Sequence, residues 1–116
     1  MSDSLVRLRD ALREFAAARD WDQFHTPRNL ATALAVEAAE LLEPFQWLDE
    51  AGARDLPPDT RAAVEQEMAD VLLYLVRLAD RLGVDLERAA HAKIALNAVK
   101  YPVEKARGSA KKYRDL

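Results

Sequence analysis

The sequence predicts an all-α protein, a bundle of four helices that is completed by association of identical chains. Apolar residues recur at the three- and four-residue spacing of one helix face in separate segments of the chain. Only 3 Gly and 5 Pro interrupt the 116 residues, so long helices are expected. One of these helices also carries more apolar surface than a single buried face requires.

The first two helices are predicted from their apolar faces and from one start signal. In the first helix, over about residues 3–19, four apolar residues share one face: Leu5, Leu8, Leu12 and Phe15. The second helix begins at Thr26, which can cap it, and at Pro27, which fits its first turn. Its apolar face extends as far as Leu48, and residues 49–58 form a polar connection to the next helix.

The third and fourth helices have clear ends. The third runs over about residues 59–82 and stops at Gly83, a residue that tolerates a left-handed conformation. Asp85 can cap the fourth helix, which continues to about Lys100. Residues 71–76 are apolar around almost the whole helix circumference, and such a helix favours burial on all sides. Because so small a monomer has little interior, association with a second copy is the simplest remedy.

The composition is that of one small domain. A chain of 116 residues fits a single domain over residues 1–116, with residues 103–116 as an extended basic tail. No cysteine is present for a disulfide or a thiolate metal site. No apolar signal region or membrane-spanning run is recognisable, so we expect a cytoplasmic protein without a membrane partner. The net charge of −3 argues against a general nucleic-acid-binding surface.

Two pairs of acidic residues stand three residues apart on neighbouring helices: Glu37/Glu40 and Glu67/Asp70. Their spacing alone favours a solvated helix face, because 20 acids in 116 residues give roughly three such pairs by chance. Their position argues otherwise. Glu37 occupies the apolar face of the second helix, while Glu67 and Asp70 lie beside that of the third. Buried acids are almost always paired or bound to a metal ion.

Four carboxylates in one small volume need cations or protons to coexist. Two like charges 4 Å apart repel by about 4 kcal/mol at an effective dielectric constant near 20. Oxygen ligands select Mg²⁺ or Mn²⁺ over zinc or copper, and Mg²⁺ in proteins commonly binds substrate phosphates. A ferritin-like di-iron site would need Glu-x-x-His on two helices, and neither His25 nor His91 follows a Glu by three residues. The sequence therefore predicts a magnesium site for a polyphosphate.

Motifs along nearly the whole chain resemble, in order, the MazG-like superfamily of all-α nucleotide pyrophosphohydrolases and, within it, the dCTP pyrophosphatases. The matching segments are residues 19–25, 27–30, 37–40, 45–47 and 67–74, followed by Lys93, Asn97, residues 100–102 and residues 109–113. Two positions depart from the family pattern. Ala39 stands where many members have Gly, and Leu12 stands where vertebrate dCTP enzymes have a polar residue that contacts the base.

The resemblance implies a four-helix MazG-like fold and a magnesium-dependent enzyme, with Mn²⁺ as a possible substitute. Such an enzyme cleaves a nucleoside triphosphate between its α- and β-phosphates, releasing the monophosphate and pyrophosphate, and so cleans the nucleotide pool. The implied metal ligands and catalytic residues are Glu37, Glu40, Glu67 and Asp70. Metal-activated water is the implied nucleophile. The implied assembly is a homodimer or homotetramer, with sites built across subunit contacts.

Seven further residues are predicted to bind the substrate. The resemblance places four at the base and sugar: Trp21, His25, Trp47 and Tyr74. The other three form a polar stripe on the fourth helix that suits phosphate oxygens: Lys93, Asn97 and Lys100. Each has a structural alternative. Tryptophans often anchor cores, and lysine stripes are often solvated. The alternative role of His25 is to support the start of the second helix without contacting a ligand.

Alternative functions remain open from the sequence. Related all-α enzymes act on dUTP, phosphoribosyl-ATP or damaged nucleotides. A non-catalytic helical dimerisation module would carry the same apolar third helix with its acids on the surface, and metal binding would distinguish it from an enzyme.

Overall fold

The computed structural model describes residues 2–116, and its regular elements over that range are all helical, as predicted. The α-helices are α1 (Asp3–Ala18), α2 (Pro27–Leu42), α3 (Glu50–Arg54), α4 (Pro58–Leu82), α5 (Leu86–Lys100) and α6 (Val103–Ala106). Short 3-10 turns follow at Glu43–Phe45 and Tyr113–Asp115. Among these helices, none combines the length and apolar character needed to cross a membrane. The chain forms two compact units, residues 2–84 and 85–116.

The predicted helix ends are confirmed by their hydrogen bonds. The Thr26 hydroxyl oxygen accepts from the backbone N–H of Asn29 at 3.2 Å and caps α2. The last turn of α4 stops at Gly83, whose φ of +69° lies in the left-handed region. Asp85 caps α5 by accepting from the backbone N–H of Arg88 at 3.1 Å.

The second helix ends earlier than its apolar face suggested. α2 stops at Leu42, and a 3-10 turn over Glu43–Phe45 follows. Pro44 explains the difference, because it has no N–H to donate to the carbonyl of Glu40 and its ring crowds that carbonyl. The polar connection also contains α3, whose first turn is capped by Asp49 through a 2.7 Å hydrogen bond from the backbone N–H of Gly52.

The C-terminal unit is more structured than the predicted extended tail over residues 103–116. It contains α6 and a 3-10 turn, with an irregular segment between them. The ring of Tyr113 packs edge-on against Tyr101 at 6.1 Å between centroids, and the Lys100 ammonium lies 5.1 Å from the Tyr113 ring centroid. These aromatic and cation–π contacts hold the tail's end against the end of α5.

In the unit of residues 2–84, α4 packs against α2 and α1. The buried apolar residues of this unit are Ala16, Leu30, Val64, Val76 and Ala79. This is a small core, and it buries only Val76 of residues 71–76 completely. One side of α4 stays exposed instead, at Met68 (57%), Leu72 (41%) and Leu75 (37%). We call these three residues the α4 apolar stripe.

Candidate functional site

An acidic cluster lies where α2 packs against α4. It consists of the four acids singled out from the sequence: Glu37, Glu40, Glu67 and Asp70. One carboxylate oxygen from each of Glu37, Glu67 and Asp70 lies within 4.8 Å of the other two. Glu40 stands one helical turn from Glu37 on α2 and interacts with its carboxyl group. The packing of α2 on α4 therefore unites two pairs that are about 30 residues apart in sequence.

The cluster is short of positive charge. In the part of the chain that the structure describes, none of its four carboxylates forms an ion pair with a lysine or arginine. Burial, hydrogen bonding to Glu40 and the charge of Glu40 raise the pKa of Glu37 to about 7, with smaller contributions from Glu67 and Asp70. The Oε2 atoms of Glu37 and Glu67 are buried without a hydrogen-bond partner.

These observations fit a hard divalent cation. Buried acceptors without donors are costly, and a cation would satisfy both orphaned oxygens while offsetting the mutual repulsion of the carboxylates. The donor set is oxygen only, as Mg²⁺ and Mn²⁺ prefer. The arrangement can thus hold a divalent cation and, through it, phosphate oxygens.

An open cavity of about 230 Å³ borders the cluster. Asp70 belongs to both, and three predicted substrate-binding residues line the cavity: Trp21, His25 and Tyr74. The Trp21 ring packs edge-on against His25, with 6.1 Å between their centroids. Leu12, at the position where the related enzymes have a polar residue, also lines the cavity. The volume is below the roughly 300–1,000 Å³ of complete ligand sites, which indicates a partial pocket.

The lining of this cavity does not include Trp47. Trp47 follows the 3-10 turn and is 88% exposed. Because α2 ends at Leu42, Trp47 does not continue the helix face that carries Glu40. Three exposed residues lie at spacings of four and three on α5, in the other unit: Lys93, Asn97 and Lys100. Their binding role, like that of Trp47, stays a prediction.

Arg77 is the site residue that sequence reasoning missed. It is only 5% exposed, and its Nε donates to His25 Nδ1 at 3.1 Å. Its Nη2 donates to Asp22, and its Nη1 lies 3.4 Å from Asp80 Oδ2. Arg13 binds the same carboxylate, with 2.8 Å between its Nε and Asp80 Oδ2. The available signal was an arginine directly after the most apolar stretch of α4.

The pKa of Glu37 predicts a pH effect on the metal-free protein. The folded state favours protonated Glu37, so its stabilising contribution is complete below the ordinary value of 4.5 and is lost as the pH rises through about 7. Thermal unfolding in a chelator should therefore show a falling melting temperature across this range. The fall should be smaller in Glu37→Gln, and Mg²⁺ should reverse it by binding the deprotonated carboxylates. Identical pH profiles for parent and variant would contradict this assignment.

Comparisons with known proteins identify the family and the fold. A family model described as the MazG-like family matches residues 32–116. The chain is 51% identical over 115 residues to dCTP pyrophosphatase 1 of Mus musculus and 48% identical to that of Homo sapiens. Each alignment covers 97% of this chain and 68% of the relative. The crystal structure of a pyrophosphatase from Archaeoglobus fulgidus matches with a TM-score of 0.81 and 39% identity, over 88% of this chain and 95% of that one.

Proposed function

The chain belongs to the MazG-like family, and on that basis we propose that it hydrolyses dCTP, or a 5-modified dCTP, to the nucleoside monophosphate and pyrophosphate. The observation that carries the proposal is that Asp70 belongs both to the acidic cluster and to the lining of the 230 Å³ cavity. A triphosphate bound at the cluster would have its base beside Trp21 and His25. The dCTP assignment rests on the names of the relatives.

Mg²⁺, or Mn²⁺ in its place, would be held by the acidic cluster. When bound, it would supply a Lewis acid that neutralises charge on the phosphates and activates water. The chain's own contribution is to position the substrate. By holding the cation, the four carboxylates would fix where the phosphates lie. Trp21, His25 and Tyr74 would bind the base and sugar. We assign additional phosphate contacts to the polar stripe of α5: Lys93, Asn97 and Lys100.

We also propose that the active form is a homodimer or homotetramer. The α4 apolar stripe is exposed in a single chain, as are the large side chains of Phe24 and Trp47. Monomeric proteins rarely expose large contiguous apolar patches, and the α4 apolar stripe extends over two turns of one helix face. The partial volume of the cavity supports the same proposal, because a second chain could supply its missing walls.

A panel of nucleoside triphosphates tests the function. Each is incubated with the protein and Mg²⁺, and pyrophosphate is measured separately from inorganic phosphate. We expect dCTP or a 5-modified dCTP to give the highest kcat/KM, with pyrophosphate as the product. Preference for dUTP or a damaged nucleotide would change the assigned substrate but not the assigned reaction. Absence of hydrolysis would favour the non-catalytic dimerisation module.

Replacing Trp47 tests whether this exposed ring contributes to the base pocket. Stacking on an aromatic ring is worth about 1–3 kcal/mol per base, so Trp47→Ala should raise the KM for dCTP by about tenfold and weaken discrimination between bases. Pyrophosphate should remain the product. Trp47→Phe, which keeps a stacking ring, serves as the matched control. If Trp47→Ala treats all triphosphates as the parent does, the residue lies outside the pocket.

A further inference from the structure

The hydrogen bond between Arg77 and His25 determines which imidazole nitrogen carries the proton. Arg77 Nε donates to His25 Nδ1 at 3.1 Å. A guanidinium group is always protonated and can only donate, so Nδ1 must offer its lone pair. In a neutral imidazole the proton is then on Nε2, and Nε2 is a hydrogen-bond donor.

Arg77 is itself held in place on three sides. Its Nη2 donates to Asp22, while its Nη1 faces Asp80, whose carboxylate is also bound by Arg13. Because the guanidinium is buried, it cannot turn away from His25 without weakening its own pairing with Asp22 and Asp80. The direction of the hydrogen bond to His25 is therefore imposed by the fold.

The charges around His25 favour its neutral form. Burial and the positive charge of Arg77 lower the pKa of His25, with a smaller contribution from Arg81, against the opposing effect of Asp22. A second proton could only be placed on Nδ1, where it would break the bond to Arg77. His25 lines the cavity, and its Nε2 is thus a donor and not an acceptor.

We propose that Arg77 is a positioning residue that holds His25 as an Nε2–H donor, and that this donor selects cytosine over uracil or thymine. N3 of cytosine carries a lone pair and accepts a hydrogen bond, whereas N3 of uracil and thymine carries a hydrogen. Two donors facing each other in a buried site leave both unsatisfied, and polar mismatches of this kind discriminate strongly. The selection step rests on the proposed function, while the tautomer does not.

Nuclear magnetic resonance tests the tautomer without substrate. In uniformly ¹⁵N-labelled protein, two-bond ¹H–¹⁵N correlations distinguish a protonated from an unprotonated ring nitrogen. The exposed His91 is removed by His91→Gln, so that the remaining imidazole signal is that of His25. At neutral pH we expect the neutral ring with its proton on Nε2. A proton on Nδ1, or on both nitrogens, would overturn the proposal.

Two variants separate positioning from general stabilisation. Arg77→Lys keeps the charge but cannot donate to His25, Asp22 and Asp80 in the same planar geometry, so the Nε2–H form should no longer be the only one. Arg13→Gln removes a partner of Asp80 but does not touch His25, and should leave the tautomer unchanged. Loss of the tautomer in both variants would show that the network merely stabilises the fold. If Arg77→Lys does not fold, the spectrum of the parent and the variants of His25 still decide the question.

Substitutions of His25 test the selection of the base. Gln can place its amide nitrogen near the position of imidazole Nε2, whereas Asn can offer an acceptor to Arg77 but has no donor at that position. We expect His25→Asn to lower the ratio of kcat/KM for dCTP over dUTP by about 10- to 100-fold, mainly through the KM for dCTP. His25→Gln should retain most of the ratio. An unchanged ratio in both variants would overturn the selection step.

Failure of this inference can be distinguished from failure of the proposed function. If the parent hydrolyses dCTP to pyrophosphate but His25→Asn keeps the parent's ratio, only the selection step is wrong. If the parent hydrolyses no triphosphate, both the proposed function and the selection step are wrong. The spectrum still decides whether Arg77 sets the tautomer of His25.

Discussion

Replacing any member of the acidic cluster by its amide should abolish turnover. In Glu37→Gln, Glu40→Gln, Glu67→Gln and Asp70→Asn we expect kcat to fall by about 100-fold or more, because each amide keeps its shape but loses the charge that holds the cation. The fold should remain intact, since the carboxylates repel one another and none is ion-paired with an arginine or lysine in the described chain. The melting temperature of the metal-free variants could even rise.

Two neighbouring acids provide matched controls for these variants. Glu43 follows Glu40 by three residues but lies exposed in the 3-10 turn, and Glu65 is exposed on α4, where it pairs with Arg61 at 3.4 Å. Glu43→Gln and Glu65→Gln should keep near-parental pyrophosphate release. Calorimetric titration with Mg²⁺ and circular dichroism would separate lost binding from lost folding. Near-normal activity in two of the four cluster variants would contradict the metal-site assignment.

The acidic cluster shows which sequence signal was informative. Three acid pairs exist at a spacing of three residues, and the spacing does not distinguish Glu40/Glu43 from the other two. Position in the apolar pattern does, because a carboxylate on a core-facing surface needs a partner. The structure brings Glu37, Glu67 and Asp70 together, while Glu43 is exposed beyond the end of α2.

Local signals were sufficient for most helix boundaries, whereas apolar periodicity was misleading where a proline intervened. The cap at Thr26, the left-handed stop at Gly83 and the cap at Asp85 depend on a few adjacent residues, so the sequence reveals them. The apolar face of the second helix continues past Pro44 in sequence, yet the helix does not. Periodicity records which residues would share a face if the helix continued, and it says nothing of whether the backbone can continue.

Arg77 could not be placed by local pattern because its partners are distant in sequence. Asp22 and His25 precede it by more than 50 residues, and they meet it only once the loop before α2 lies against α4. An arginine in an apolar helix predicts some buried counter-charge but does not identify it. The hydrogen bond between Arg77 and His25 is therefore seen only in the structure, and contact of His25 with a ligand stays a prediction.

Disrupting the α4 apolar stripe should separate the subunits and remove activity. Leu72→Glu places a charge at the centre of the stripe, where burial against a second chain would require its costly desolvation. Light scattering after size-exclusion chromatography should report at least a dimer for the parent at micromolar concentration and the 13.0 kDa monomer for the variant. Gln66→Glu, exposed on the same helix outside the stripe, should leave both assembly and turnover unchanged.

The concentration dependence of activity shows whether loss of assembly causes the loss of turnover. If a second chain completes the cavity, the specific activity of Leu72→Glu should rise with protein concentration as mass action restores the assembly. Local damage to the site would instead give a low activity that is independent of concentration. A parent that is both monomeric and active at micromolar concentration would show that one chain contains the whole site, and that the α4 apolar stripe does not serve catalysis.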